Sequence, residues 1–252
     1  MSVESWRNRL FTIADPDARL RVAGALEQFV MVGGKAQTIA NGTQVKISAI
    51  VMQPSGAKGV NIFVEAATPE GAPLGWTSAT NVDGKFYSET VGLVPRPASS
   101  NQFGSHAAWS RGQFLGQIDL VRIVGTRYEI ETLSAATTEP FLAMVAAARA
   151  DGREVRLNSG FRTFAEQKHL HDGHVRGLPG FNLAARPGNS NHQSGIAVDL
   201  DVKPGDGNPN YEWLKREATR FGFVRTVPSE PWHWEFRPDA ARTARAAGKF
   251  LI

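Results

Sequence analysis

The chain of 252 residues contains no cysteine. That excludes disulfides, thiolate metal ligands and a cysteine nucleophile, and it fits any redox compartment. No stretch approaches the roughly 18 uncharged apolar residues that a membrane-spanning helix needs, so no span is predicted. A field of one charge is also missing: 28 Lys and Arg stand against 24 Asp and Glu. Up to residue 97 there are 9 basic and 8 acidic residues, and beyond it 19 and 16, so neither half is a basic domain and nucleic-acid binding is not expected. The first residues, Met1 to Leu10, carry charges with no apolar stretch behind them, so no secretory signal is expected. There is no internal repeat or low-complexity tract. What is present is an ordinary globular composition, 42% hydrophobic and 21% charged, with 6 histidines that hold most of the chemical interest.

Apolar periodicity changes along the chain. From Asp15 to Val30, Pro16 near the start and Leu20, Ala23, Leu26, Phe29 and Val30 at helical spacing predict an amphipathic helix. After Gly33-Gly34 the period becomes two: Val45, Ile47, Ala49 and Val51, then Val60, Ile62 and Val64, with Asp83-Gly84 as a hairpin turn before Lys85. Residues 1–96 therefore read as a helix followed by a small β domain. Its Gly75-Trp76-Thr77 turn and strand spacing resemble a bacterial SH3-like barrel, without a diagnostic motif, and Trp76 fits either a core or a wall-binding surface. Residues 97–117 have linker composition, rich in Pro, Ser, Gly, Asn and Gln.

The segment 118–252 reads as a second domain. Helices are predicted from Thr138-Glu139-Pro140 to Gly152, over Thr163 to His171, and over Tyr211 to Phe221. Strands are predicted at Glu154 to Leu157, Gly195 to Val202 and Trp232 to Phe236. The alternation is not a regular βαβ repeat, so the class is α+β.

Two histidines sit in unusual company. His192 lies in a polar turn, Ser190-Asn-His-Gln-Ser-Gly195, which leads into an apolar strand presenting Asp199. His233 lies in Glu230-Pro-Trp-His-Trp-Glu235, where a strand puts Trp232, Trp234 and Phe236 on one face and His233 on the other. Taken alone, the His192 and Asp199 pair reads as a turn histidine and a strand-end carboxylate. With His233 it supplies three N/O ligands for one Zn²⁺ and leaves a fourth position for water, the arrangement of a catalytic site. Such an ion lowers the pKa of its water to about 7. Glu230, just before Pro231, is the candidate to take the proton and pass it to a leaving amine.

Other groups read more plainly. His169, His171 and His174 do not share one helix face, lack the His-Glu-x-x-His pattern, and read as exposed helix-end residues. His106 in the linker reads the same way. Asp201 to Asn208 misses the EF-hand spacing and reads as a turn, although period two puts Asp201 on the strand face of Asp199, from where it could orient a ligand. Trp232 and Trp234 read as core and cleft wall.

Ser190-x-His192 with Asp199, followed by Glu230-Pro-Trp-His233, resembles the zinc D-alanyl-D-alanine peptidases of the VanY and VanX type, the peptidase M15 family. Ser159-Gly-Phe-Arg162-Thr, with Gln167 beyond it, is similar to that family's Ser-Gly-Tyr-Arg-Ser block, with Phe161 for Tyr and Thr163 for Ser. The resemblance covers about residues 118 to 250. It implies a Hedgehog/DD-peptidase-like domain in which His192, Asp199 and His233 bind one zinc, Glu230 is general base and acid, and Arg162 polarises the scissile carbonyl. It also implies that Ser190 and Gln167 line the substrate cleft, though as residues both equally suit loop capping. The function so implied is hydrolysis of peptidoglycan stem peptides, as a D,D-carboxypeptidase releasing terminal D-Ala. The alternatives are an endopeptidase of endolysin or secreted-effector type, and a non-catalytic cell-wall-binding protein. The site of action would be periplasm or cell wall, reached by lysis, by a non-Sec route or from a phage, with the N-terminal domain as the module for delivery or wall docking.

Overall fold

The computed structural model describes residues 6–55, 59–83, 87–126 and 129–252. They form two compact units: Met1–Glu89 with Arg127–Ile130, and Thr90–Thr126 with Glu131–Ile252. Together they make a mixed α and β protein of small antiparallel sheets and helices.

The first unit is built on strands β1 (Leu10–Thr12), β2 (Arg21–Val22), β3 (Ala25–Phe29), β4 (Met31–Val32), β5 (Lys35–Ala36), β6 (Gln44–Ser55), β7 (Gly59–Ala67) and β8 (Pro73–Ser78). Six of them form a sheet in the order β1-β6-β7-β8-β2-β3, and β4 and β5 pair separately. The period-two runs hold in part: Val45 and Ile47 on β6 and Val64 on β7 are fully buried, but a register shift between Ile47 and Ala49 leaves Ala49 and Val51 half-buried, and Phe63 is buried between Ile62 and Val64. The helix predicted over 15–30 is absent, and that segment holds β2 and β3 instead. Gly24 at φ 82° turns the chain between them. Arg21 pairs with Phe29 on β3 and with Trp76 on β8, and its guanidinium lies 4.2 Å from the centre of the Phe29 ring. Pairing on both sides of β2, with a cation over an aromatic face, outweighs the helical spacing of three leucine and alanine side chains. The turn expected at Asp83-Gly84 and the start of the run after it fall outside the described residues.

The second unit carries β9 (Thr90–Leu93), β10 (Ala107–Ser110), β11 (Gln113–Gln117), β12 (Leu120–Val124), β13 (Ile130–Ser134), α1 (Ala135–Ala150), β14 (Leu157–Ser159), α2 (Phe164–Val175), β15 (Ala197–Leu200), α3 (Pro209–Glu217), β16 (Phe223–Val224), β17 (His233–Phe236) and α4 (Pro238–Ala246). Residues 97–117, linker by composition, hold the hairpin β10–β11. His106 at its base is buried, with Ser105 Oγ 3.0 Å from its Nδ1, and is not the exposed residue its neighbours suggested. Helix α1 begins before the predicted Thr138-Glu139-Pro140 because the Ser134 hydroxyl accepts from Thr137 N at 3.2 Å and caps it there, leaving Pro140 inside the helix. Helix α2 opens on a reciprocal capping box between Thr163 and Glu166.

The sheet that matters for chemistry is four-stranded and antiparallel, in the order β14-β15-β17-β16. Its inner face meets α1 and α3 in one core containing Phe141, Met144, Val198, Leu200, Trp213, Leu214, Phe223 and Trp234. Trp232 and Phe236 pack against that core with Trp234. Burying side chains of this size stabilises by about 2 kcal/mol each, so the inner face is strongly specified. A one-residue slip of β17 would exchange His233 for Trp234 in that core, which fixes the register and with it the outer face.

Candidate metal centre

In this register Asp199 on β15 stands directly opposite His233 on β17, and Ser159 on β14 flanks it on the other side. Strand alternation sends His233 and Glu235 to the face opposite Trp234. The third member, His192, comes from the turn before β15. Ser190 closes that turn, its Oγ accepting from His192 N at 3.3 Å and its backbone O from Gln193 N at 3.0 Å. Gly195, at φ 79°, then leads into the strand with its carbonyl held by Ser134 Oγ at 2.8 Å and Thr137 Oγ1 at 2.7 Å. The loop is therefore tied to the start of α1.

His192, Asp199 and His233 are all buried, and their candidate ligand atoms lie within 4.8 Å of one another. Asp199 Oδ1 is 3.2 Å from His192 Nε2 and 3.0 Å from His233 Nδ1. The opposite nitrogen of each ring is already committed. His192 Nδ1 lies 2.7 Å from the Gly160 carbonyl, which can only accept, so that nitrogen carries its proton. His233 Nε2 lies 3.1 Å from Glu235 Oε1. His192 thus turns its Nε2 lone pair toward Asp199 Oδ1; His233, flanked by two carboxylates, turns a second lone pair there when neutral and a hydrogen when protonated. Two lone pairs and an anion repel unless a cation or a proton lies among them, and one imidazole plus one imidazole plus one carboxylate is a donor set suited to a divalent transition metal.

The electrostatics follow from that crowding. Burial disfavours charge on His192 and lowers its pKa. Burial also opposes charge on His233, but hydrogen bonds to Asp199 and Glu235 outweigh it and hold the ring up at about 9. Asp199 would be raised by its burial, yet His192, His233 and Arg162 keep it far below the usual carboxylate range.

Arg162 donates from Nη2 to Asp199 Oδ2 at 3.0 Å and from Nε to Ser159 Oγ at 3.2 Å. Its Nη1 has no partner among the described residues. Glu230 sits one turn before the strand: its N donates to the Val227 carbonyl and its own carbonyl accepts from His233 N at 3.1 Å. Its half-buried carboxylate makes no hydrogen bond among the described residues. Gln167 is buried on α2, with Nε2 donating to the Ala185 carbonyl at 2.8 Å and Oε1 without a partner among the described residues. Ser190 and Gln167 thus both hold loops, the first around His192 and the second around Ala185. Asp201 is not beside the site: it lies beyond the end of β15, exposed, with Oδ2 4.0 Å from Arg156 Nη1. His169, His171 and His174 stand apart from the cluster on α2, where His169 meets the edge of Phe181.

Sequence reasoning passed over Glu235. It is fully buried, and its Oε1 accepts from His233 Nε2, from Asn191 Nδ2 at 2.7 Å and from Thr226 Oγ1 at 2.6 Å, while Arg237 donates to Oε2. Its own burial would raise its pKa, but the donors around it hold it down at about 2. The available signal was its spacing, two residues after His233 on the same strand face.

A small antiparallel sheet presenting Asp199 and His233, with His192 brought to them by the turn before β15 and Arg162 bound to Asp199, makes a His/Asp/His group of the kind that could hold one metal ion. Residues 130–239 match the family model described as VanY, D-alanyl-D-alanine carboxypeptidase, a stretch that contains all three sequence motifs. The chain is 29% identical over 171 residues to a D-alanyl-D-alanine carboxypeptidase of Enterococcus faecalis (strain ATCC 700802 / V583), covering 55% of this chain and 62% of that protein. It is 30% identical over 115 residues to the putative carboxypeptidase YodJ of Bacillus subtilis (strain 168), covering 37% and 42%. It thus spans less than two thirds of the length of these curated relatives. Among solved structures, VanYB in complex with D-Alanine-D-Alanine aligns with a TM-score of 0.45 and 26% identity over 57% of this chain and 93% of that one. A mutant of the D,D-pentapeptidase VanY in complex with Zn(II) aligns with a TM-score of 0.43, also at 26% identity, over 57% and 95%.

Proposed function

We propose that the chain is a zinc-dependent D,D-carboxypeptidase that releases terminal D-Ala from peptidoglycan stem peptides. The observation that carries this reading is the convergence of His192 Nε2, Asp199 Oδ1 and His233 Nδ1, each ring nitrogen freed for a metal because the other is spent on Gly160 or Glu235. The family match over 130–239 supports the substrate class.

His192, Asp199 and His233 would hold the ion, which when bound supplies Lewis-acid chemistry: it acidifies water and polarises a carbonyl. Glu230 takes the proton of the attacking water on its unengaged carboxylate and returns it to the amine that leaves. Arg162 keeps Asp199 ionised through Nη2 and directs Nη1 to the carbonyl oxygen as negative charge builds there. Ser190 and Gln167 shape the cleft by fixing the loops that border it. The antiparallel first unit is read as an SH3-like module for wall docking or delivery, and a stem-peptide substrate would put the enzyme's work in the periplasm or cell wall.

Purified muropeptides incubated with the protein, with and without a chelator, and resolved by mass spectrometry test this reading. Free D-Ala that disappears on chelation is the expected result. An internal cut identifies an endopeptidase, and binding without cleavage identifies a wall-binding protein. Cleavage indifferent to chelator sinks the mechanism.

A further inference from the structure

We infer that Glu235 is a positioning residue that fixes the proton of His233 on Nε2 and locks the two metal-ligand segments together. This rests on the metal-centre reading above and extends it to a residue outside the ligand set. Three donors converge on the single oxygen Oε1, and they come from three different segments. His233 Nε2 belongs to β17, Asn191 Nδ2 to the turn that carries His192, and Thr226 Oγ1 to the chain after β16. Asn191 immediately precedes His192, so one carboxylate oxygen bridges both histidine ligands from behind.

The chemistry follows from what a carboxylate does. An ionised carboxylate only accepts, so with a cation held on the Asp199 side the proton that His233 keeps would be the one on Nε2, where Glu235 accepts it, leaving the Nδ1 lone pair for the metal. His192 is set the opposite way, with hydrogen on Nδ1 toward the Gly160 carbonyl and the lone pair on Nε2. The two ligands are therefore pinned in complementary tautomers by two different acceptors, one neutral and one anionic. The anionic one also makes its imidazole a stronger donor to a metal. A fully buried carboxylate is costly unless its lone pairs are filled, and here Arg237 on Oε2 completes the set. A group held at that cost with four donors around it, directly behind a ligand, is accounted for by positioning.

The full-length protein tests this with zinc alone. Affinity is measured by chelator competition in wild type, Glu235→Gln and Glu235→Ala, and the low-field imidazole N–H resonance of His233 is followed in the zinc-loaded forms. Glu235→Ala is expected to weaken zinc binding about 10–100-fold and to lose the His233 N–H signal to solvent exchange. Glu235→Gln keeps an acceptor oxygen without the charge, so it retains the signal and recovers part of the affinity, which also keeps the test alive if the alanine variant does not fold. A partner with a purely structural role would lower stability without moving the resonance or the affinity of the folded protein. Equal zinc affinity in wild type and Glu235→Gln, with an unchanged resonance, overturns the assignment while leaving the metal centre intact. Failure of the wild type itself to take up zinc overturns the metal centre and this inference together.

Discussion

Asp199 and His233 face each other across adjacent antiparallel strands, with Asp199 Oδ1 3.0 Å from His233 Nδ1. The same oxygen is 3.2 Å from His192 Nε2. The β-sheet ladder itself sets one of these distances, because directly opposed residues on neighbouring strands have side chains within contact range. Only the loop carrying His192 has to be placed by other means, and Gly160, Gly195 and Glu235 divide that task.

Zinc should stabilise the second unit and leave the first unchanged. A ligand that binds only the folded form at about 1,000 times its Kd contributes about 4 kcal/mol, or about 10 °C in the midpoint for a domain of this size. Calorimetry with zinc and then with excess chelator should show one transition that moves and one that does not. A shift of neither transition would speak against a metal site.

Glu230 and Arg162 should separate kinetically. Glu230→Gln is expected to lower the turnover of a D-Ala-D-Ala peptide by about 10²–10⁴ without changing zinc affinity, since the side chain holds no ligand. Arg162→Ala should lower turnover by about 10²–10³ and also weaken zinc binding, because it strips Asp199 of its cation. Paired measurements of turnover and zinc affinity check both. Identical profiles for the two variants would show that Glu230 acts only by holding structure.

The site was more legible in the sequence than the fold around it. That His192, Asp199 and His233 come together could be read because strand alternation and short turns fix the face each presents, within a few residues of each motif. The segment 15–30 was misread because leucine and alanine spacing says nothing of the strand β8 that pairs with Arg21 from far along the chain. His106 was misread for a related reason: a Pro- and Ser-rich stretch looks like linker, while the ring is buried with Ser105 Oγ on one nitrogen and the Val94 carbonyl, from before that stretch, 3.4 Å from the other. Glu235 was overlooked because its value depends on Asn191 and Thr226, which approach only in three dimensions.

The three histidines of α2 supply a control. Among the described residues, His169, His171 and His174 have no shared carboxylate partner of the kind that joins His192 to His233, and His171 only approaches Asp172 at 3.8 Å. The triple change to alanine should leave zinc affinity within about twofold of wild type, because surface substitutions away from a site usually act within about 0.5 kcal/mol. Chelator competition measures this, and a tenfold loss would move the metal assignment toward α2.

Gly160→Ala should damage folding and metal binding together. A Cβ at this position would stand 2.1 Å from the Thr132 carbonyl oxygen and 2.8 Å from Leu133 Cδ2, both on β13, so backbone must move to admit it. Overpacking of this kind costs about 1–3 kcal/mol or more. The direction of the displacement matters as much as its cost, because the Gly160 carbonyl is the acceptor that holds His192 Nδ1–H at 2.7 Å, and Gly160 N donates to Glu131 Oε2 at 3.2 Å. Pushing that carbonyl away frees the imidazole to rotate or to place its proton on the nitrogen meant for the metal. The expected result is a lower unfolding midpoint in chemical denaturation, accompanied by a zinc affinity reduced about 10-fold or more in the protein that remains folded. A variant that loses stability but binds zinc as wild type does would show that His192 is oriented by its own turn, through Ser190 and Gly195, and not by the carbonyl beneath it.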